Sequence, residues 1–283
     1  MLGSTLFHYF RRSPSIEVYG LVRDHKLRPL FSDFDRQYLV FGHDFRNDDQ
    51  LGSVLETMYP DVIINCVANL RPQITQSDVL NGFEINSILP HRIAWHCSRR
   101  GCRLIHISTD GVFSGETGSY TESDVPDPID RYGQQKLLGE VAYARALTIR
   151  TSIIGHDLFP GNNLIDWLLR QRGTCKGFSR VIFNGLPTLE LARVLRDYVL
   201  PVPSLRGIFH VGASPISKFS LIKLVAEVYD LNLQIEAEDS ICCNRSLDCK
   251  EFQTRTGYVA PDWPSLIISM HDCYQRTLNH VQE

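Results

Sequence analysis

Short apolar runs alternate with helix-length segments along the first half of this chain, and that rhythm leaves it few folds. Ile16 to Val22, Tyr38 to Phe41, Asp61 to Cys66, Cys102 to Ser108 and Ala146 to Arg150 read as strands. Asp48 to Met58, Gly82 to Arg100 and Arg131 to Ala144 read as helices between them. Strands joined through helices imply crossovers and a parallel sheet. The runs are nearly continuous in apolar residues, as strands covered on both faces must be. The expected class is α/β, a doubly wound parallel sheet. After about residue 150 the rhythm changes. Gly and Pro gather at Gly155 to Asn163 and Asn184 to Pro187, and helices read at Leu164 to Arg172, Thr188 to Val199, Lys218 to Tyr229 and Pro264 to Leu278. We divide the chain into a sheet domain over 1–155 and a smaller region over 156–283, interleaved with the sheet.

Charge narrows the partners. The chain has 29 basic and 32 acidic residues, a net charge of −3, and its basic residues form no runs. Nucleic acid and anionic membrane therefore have nothing global to attract them. No apolar run approaches the ~20 residues of a membrane span, and Met1 to Arg12 lacks the features of a signal peptide. The expectation is a cytoplasmic protein without membrane association. The eight cysteines show no Cys-x-x-Cys pair, which fits thiols in a reducing compartment. Cys242, Cys243 and Cys249 form a weak zinc spacing, the ten His give no His-x-x-x-His pair, and no metal is expected.

Tyr132-Gly-Gln-Gln-Lys136 carries the chemistry. Residues four apart share a helix face. An ammonium beside a phenol favours the phenolate, lowering its pKa from about 10 and fitting Tyr132 for proton transfer. The run CRLIHIS ends in Ser108-Thr109-Asp110, hydroxyls at the C-terminal end of a parallel strand, where ligands of open α/β sheets bind. Thr109 and Tyr132 together suit one carbonyl or carbinol oxygen. At the start of the chain, Gly3 fits the last glycine of a dinucleotide-binding turn, and Arg23 lies 20 residues later, where the ribose reader is expected.

Ser108-Thr109-Asp110-Gly111, then Gly118-Ser-Tyr120-Thr-Glu122, then Tyr132-Gly-Gln-Gln-Lys136-Leu-Leu-Gly-Glu140 resemble the extended short-chain dehydrogenase/reductases. Within them the chain is most similar to the dTDP-4-dehydrorhamnose reductase branch. Pro60 to Cys66, Asn86, Arg150-Thr151, Asn184 to Thr188, Arg245 to Asp248 and Pro261 to Trp263 extend the resemblance along most of the chain. It implies a Rossmann-type sheet with a substrate-binding C-terminal region. It also implies NADPH-dependent reduction of the 4-keto group of a nucleotide-linked deoxysugar, in polysaccharide precursor synthesis. Tyr132 would donate the proton, Thr109 would bond the same oxygen, and Lys136 would hold the nicotinamide ribose and lower the Tyr132 pKa. Cofactor contacts would come from Leu2, Gly3, Arg23, Asp44, Cys66, Val67, Ala68, Asn86 and Ser108. Arg23 argues for NADPH over NADH, since its cation suits a 2′-phosphate. Asp110, Gly111, Thr151, Asn184 and Arg245 would meet the substrate, and a homodimer is the family's usual assembly.

Three departures qualify the resemblance. The chain begins at the third glycine of the expected Gly-x-x-Gly-x-x-Gly turn, which reads as a truncated sequence or a mis-set start. Gly111 stands where the family carries a larger residue, which opens the pocket. Gln134-Gln135 replace small polar residues, which tunes packing. Two alternatives stay open. One is a nucleotide-sugar epimerase or dehydratase of the same superfamily, although Gly111 after Asp110 disfavours dehydration. The other is a non-catalytic subunit like the methionine adenosyltransferase regulatory subunit, which resembles this branch.

Overall fold

The computed structural model describes residues 1–70, 75–158, 161 and 163–281, the last five in their backbone only. The chain opens on helix α1 (Leu2–Arg11), then strands β1 (Gly20–Val22) and β2 (Leu39–Phe41). Helix α2 (Asp48–Met58) leads to β3 (Val62–Asn65). Helix α3 (Gln76–Phe83) passes through a wider turn at Glu84–Ile88 into α4 (Leu89–Arg100). Strand β4 (Arg103–Ile107), helix α5 (Arg131–Leu138) and β5 (Ala146–Arg150) follow. The second half contributes β6 (Gly173–Phe178), α6 (Thr188–Val194), β7 (Gly207–His210), α7 (Lys218–Val228), β8 (Leu233–Glu238) and α8 (Trp263–Val281).

The main sheet runs β7-β5-β4-β3, all parallel. Strands β1 and β2 form a separate parallel pair, in register from Gly20 against Leu39 to Val22 against Phe41. A strand between β1 and β3, central in a dinucleotide-binding sheet, has no counterpart among the described residues. The sheet class is the one the apolar rhythm predicts. Its return strand β7 comes from the second half of the chain, so the two halves share one sheet. Strands β6 and β8 pair with each other.

Every residue of β4 and β5 is buried, whereas Val62, Ile63 and Ile64 of β3 are half-buried. Helix α1 explains how the two sheets stay together. Its apolar residues recur at helical spacing. Leu2, Leu6 and Phe10 enter the main core with Ile105, Leu147 and Ile149. Phe7 turns instead to Phe31, Leu39 and Phe41 over the small pair. Each such side chain contributes about 1.5–3 kcal/mol on burial. On the opposite face, Leu51 and Leu55 of α2 pack with Ile93 and Cys97 of α4 and with Leu104.

Two expected elements are shorter. The strand expected from Ile16 pairs only from Gly20. The helix expected to reach Ala144 ends at Leu138 with Gly139 as its C-cap, a position that must be glycine because a Cβ there would stand 1.9 Å from the Asn86 carbonyl oxygen. The long helix starts earlier than Gly82, at Gln76, because Thr75 and Asp78 form a reciprocal capping box. No described helix is long and apolar enough to cross a membrane. Among the described residues no three His, Cys, Asp or Glu side chains stand together as a metal site.

Candidate functional site

Strand β4 delivers Ser108 and Thr109 to the C-terminal edge of the main sheet. Ser108 N–H still bonds the Ile149 carbonyl at 2.7 Å, so the ladder holds to the last residue. The chain then turns tightly at Asp110–Val112. Thr109 Oγ1 caps this turn, accepting from Gly111 N–H at 3.0 Å and donating to Asp110 Oδ1 at 3.2 Å. Helix α5 begins against the same turn. Asp130 is its N-cap, accepting from Gly133 N–H at 2.7 Å. Gly133 is required here, since a Cβ would stand 2.1 Å from the Gly111 carbonyl oxygen. That close approach brings Tyr132 to the turn bearing Thr109. Lys136 follows one turn later.

The electrostatics differ from the expectation in one respect. The Tyr132 phenol is pushed up, first by burial and then by the Asp110 and Asp130 carboxylates. Lys136 does not lower it, because its ammonium position is turned onto β4. Lys136 Nζ donates to the Ile107 carbonyl at 2.7 Å and lies 3.2 Å from His106 Nε2. Burial pulls the Lys136 pKa down to about 8. Asp110 is also pushed up by burial, against the opposing pull of Arg245, the Thr109 hydroxyl and Lys218.

Several expected residues have other partners. Buried Ser108 is turned away from the site, and its hydroxyl donates to Glu140 Oε1 at 2.8 Å. Glu140 in turn pairs with Arg150 through bonds of 2.8 and 2.7 Å, both side chains almost fully buried. Asn184 was expected at the substrate. Its amide instead bonds Leu247 at both ends, at 2.8 and 3.1 Å, because this staple closes the buried backbone of the Arg245–Leu247 segment. Asn86 clamps the chain after β3, bonding Asn69 N–H at 2.8 Å and the Asn69 carbonyl at 3.1 Å, and reaches Gln135 Oε1 at 3.1 Å. It positions the Cys66-Val67-Ala68 segment through its backbone. Thr151 is buried beside the site, its hydroxyl 3.2 Å from the Ser152 carbonyl.

Arg245 lies beside the Asp110–Val112 turn. Its Nη2 donates to Asp130 at 3.5 Å, and its buried Nε has no partner. A Cβ on Gly111 would lie 3.3 Å from Thr109 Oγ1 and 3.7 Å from Arg245 Nη1.

The remaining residues gather along the same edge, at the ends of the other strands. Gly3 is exposed at the start of α1, and a Cβ there would meet only Cys66, at 3.9 Å. Leu2 is buried in the core beside it. Burial pushes the Cys66 thiol up to about 12, while Val67 and Ala68 are exposed. Arg23 is exposed at the end of β1. Asp44, past the end of β2, is held below its usual value chiefly by hydrogen bonds from Arg46, with Arg23 adding to the effect. The edge from Arg23 through Gly3 and Cys66 to Thr109 is where a doubly wound sheet binds a dinucleotide. His106, Asn65 and the Glu140–Arg150 pair were missed by sequence reasoning. A histidine inside an otherwise apolar strand was the available signal.

A match to the RmlD substrate binding domain covers residues 1–275. The chain belongs to that family. Methionine adenosyltransferase 2 subunit beta of Mus musculus is 25% identical over 252 residues, 76% of this chain and 73% of that protein. A hypothetical dTDP-4-dehydrorhamnose reductase from Sulfolobus tokodaii is 25% identical, with a TM-score of 0.69 over 87% of this chain and 98% of that one. The dTDP-4-dehydrorhamnose reductase of Bacillus anthracis str. Ames, solved in complex with NADP, shares the fold at a TM-score of 0.74 and 19% identity, covering 90% of this chain and 99% of that one. Membership of this family and these likenesses agree with the Rossmann-type sheet.

Proposed function

We propose that this chain reduces the 4-keto group of a nucleotide-linked deoxysugar, with NADPH as the preferred nicotinamide cofactor. The observation that carries the reading is the close packing of Gly133 on the Gly111 carbonyl, which sets Tyr132 of α5 against the turn capped by the Thr109 hydroxyl. A protonated phenol is an acid, which suits a reaction that ends by protonating an oxygen.

The residues fit the cofactor. The unobstructed Gly3 at the start of α1 admits close approach of a pyrophosphate. Val67 and Ala68 offer backbone along the same edge, and Arg23 suits a 2′-phosphate. The bound nicotinamide supplies the hydride. The chain supplies the rest. Thr109 Oγ1 turns its one proton from Asp110 to the ketone oxygen and donates there as charge develops. Tyr132 Oη gives that oxygen its proton, and solvent later restores the phenol. Lys136 shares the Tyr132 face of α5 and holds the nicotinamide ribose hydroxyls. Arg245, beside Gly111, binds a polar group of the sugar or its diphosphate, with Asp110 and Thr151 lining the same space.

The test is NADPH oxidation with dTDP-, UDP- and GDP-linked 4-keto-6-deoxyhexoses. Tyr132→Phe should lower turnover by about 10²–10⁴-fold and leave the melting temperature and NADPH binding in place. Epimerisation without net NADPH consumption would replace this reading with the epimerase. The likeness to methionine adenosyltransferase 2 subunit beta favours a second reading, a partner-binding subunit. That reading gains if binding changes a methionine adenosyltransferase's activity, if Tyr132→Phe leaves the change intact, and if no keto sugar is reduced.

A further inference from the structure

Beneath Tyr132 and Lys136, buried hydrogen bonds run through a residue that the reaction above does not use. His106 is fully buried in β4, and Asn65 at the end of β3 is buried beside it. The Asn65 amide oxygen accepts from Val67 N–H at 3.1 Å. That bond orients the amide and turns Asn65 Nδ2 toward His106 Nδ1, 3.1 Å away. An amide nitrogen only donates, so Nδ1 is the acceptor. Burial holds the imidazole well below its usual pKa, so the ring is neutral and has one proton. That proton is therefore on Nε2.

Nε2 lies 3.2 Å from Lys136 Nζ. An Nε2–H must find a lone pair, and an ammonium has none. The free amine has one. It accepts from His106 and still donates to the Ile107 carbonyl at 2.7 Å. We propose that His106 is a positioning residue that parks Lys136 as a free amine against β4, and that Lys136 takes one proton from solvent only on leaving His106 for Tyr132. The destination of the released lysine rests on the reductase reading above. The parked state does not.

The other groups facing Lys136 permit this. Glu140, on the same side of α5, favours an ammonium. Yet Arg150 and Ser108 already engage its carboxylate. The Cys66 thiol and the Tyr132 phenol are both pushed up, so neither offers a negative charge at neutral pH. The Met1 amino group acts on Cys66, and His91 of α4 acts on His106, both as positive charge if protonated. Burial itself opposes the ammonium most strongly.

The experiment is NMR of the full chain with ¹³Cε-lysine and ¹⁵N-histidine labels. The sequence has six lysines, so Lys136 is assigned by Lys136→Arg. The unsubstituted chain should show His106 protonated at Nε2 and a Lys136 midpoint below neutral pH, lower than the value of about 8 that burial sets. In Asn65→Asp a carboxylate accepts from Nδ1–H, the ring proton moves to Nδ1, and Nε2 can accept from an ammonium. His106→Gln offers an amide oxygen without adding charge. Each should raise the Lys136 midpoint by about one unit or more. A His106 proton on Nδ1 in the unsubstituted chain overturns the proposal, as does a Lys136 midpoint that neither substitution moves. The measurement needs no turnover. A chain that reduces no keto sugar but shows this tautomer loses only the reductase reading. One that reduces a keto sugar with Lys136 charged throughout loses only the parked lysine.

Discussion

The C-terminal edge of β4 and β5 and the small β1–β2 pair both carry residues of the candidate site, but they are held by different forces. At β4 and β5 the backbone is wholly buried and side chains are fixed by directed bonds. Glu140 joins Ser108 to Arg150, Arg150 lies 3.3 Å from His210 Nε2, and His210 Nδ1 reaches the Tyr120 carbonyl at 3.0 Å. The β1–β2 pair is hydrogen-bonded within itself but is joined to α1 by an aromatic wedge. Phe7 meets Phe31 edge-on at 6.3 Å, and Phe31 meets Phe41 at 6.1 Å. Hydrogen bonds fix direction, whereas apolar contact fixes little beyond proximity. Chemistry that needs a proton within hydrogen-bond reach belongs on the first kind of support.

Breaking the network should have the largest effect. Arg150→Met leaves Glu140 buried and unpaired, and should cost about 3–5 kcal/mol in denaturant unfolding. Adding Glu140→Leu should recover part of that loss, because the stranded charge goes with it. A double variant no more stable than the single one would mean that the pair acts through shape alone. Phe7→Ala attacks the other support. It should cost about 3 kcal/mol, and the loss should be local. Amide exchange should accelerate over Gly20–Val22 and Leu39–Phe41 and stay slow over Arg103–Ile107. Equal acceleration in both would show one cooperative unit in place of two.

Acid sharpens the same contrast with a smaller effect. Burial and the Arg150 guanidinium pull His210 down to about 4, from the ordinary 6.5. Between those values the unfolded chain binds a proton that the folded chain does not. Stability is therefore full above about pH 6.5, falls as pH drops, and levels off below about 4, a span of no more than about 3 kcal/mol for this one group. His156 moves in the same direction, also to about 4. His210→Gln should flatten part of the slope in melting curves collected from pH 7 to 4. An unchanged slope would assign the acid sensitivity to the other histidines that burial pulls down, His156, His106 and His8.

The same division governs what the sequence could tell. Strand β4 was legible because its apolar run is continuous, and the Tyr132–Lys136 face was legible because helical spacing is local. The strand expected from Ile16 was only partly so, since pairing depends on a neighbour the local pattern does not contain. Ser108 and Asn184 looked free for ligand. Their partners, Glu140 and Leu247, lie 32 and 63 residues away, beyond any spacing rule. Lys136 was placed on the right face, but its direction depends on His106 of a neighbouring strand. Local pattern places backbone; distant partners decide where polar side chains point.

Arg23 is the smallest test and bears on the looser support. It is exposed at the end of β1, and the carboxylate it influences, Asp44, is already bonded by Arg46. Its guanidinium therefore stays available for a phosphate. One charge-assisted contact of this kind is worth about 1.5–3 kcal/mol at most, and exposure to solvent and salt trims it. Arg23→Ala should weaken NADPH binding by about tenfold, the weight of about 1.4 kcal/mol, and leave NADH binding nearly unchanged. The loss should shrink in high salt. Because the β1–β2 pair is held by packing, Arg23→Lys should recover much of the binding: a movable strand can adjust to a shorter reach. If Arg23→Lys bound NADPH as weakly as Arg23→Ala, the loop after β1 would be as rigidly directed as β4, and the contrast between the two supports would not extend to the ligand.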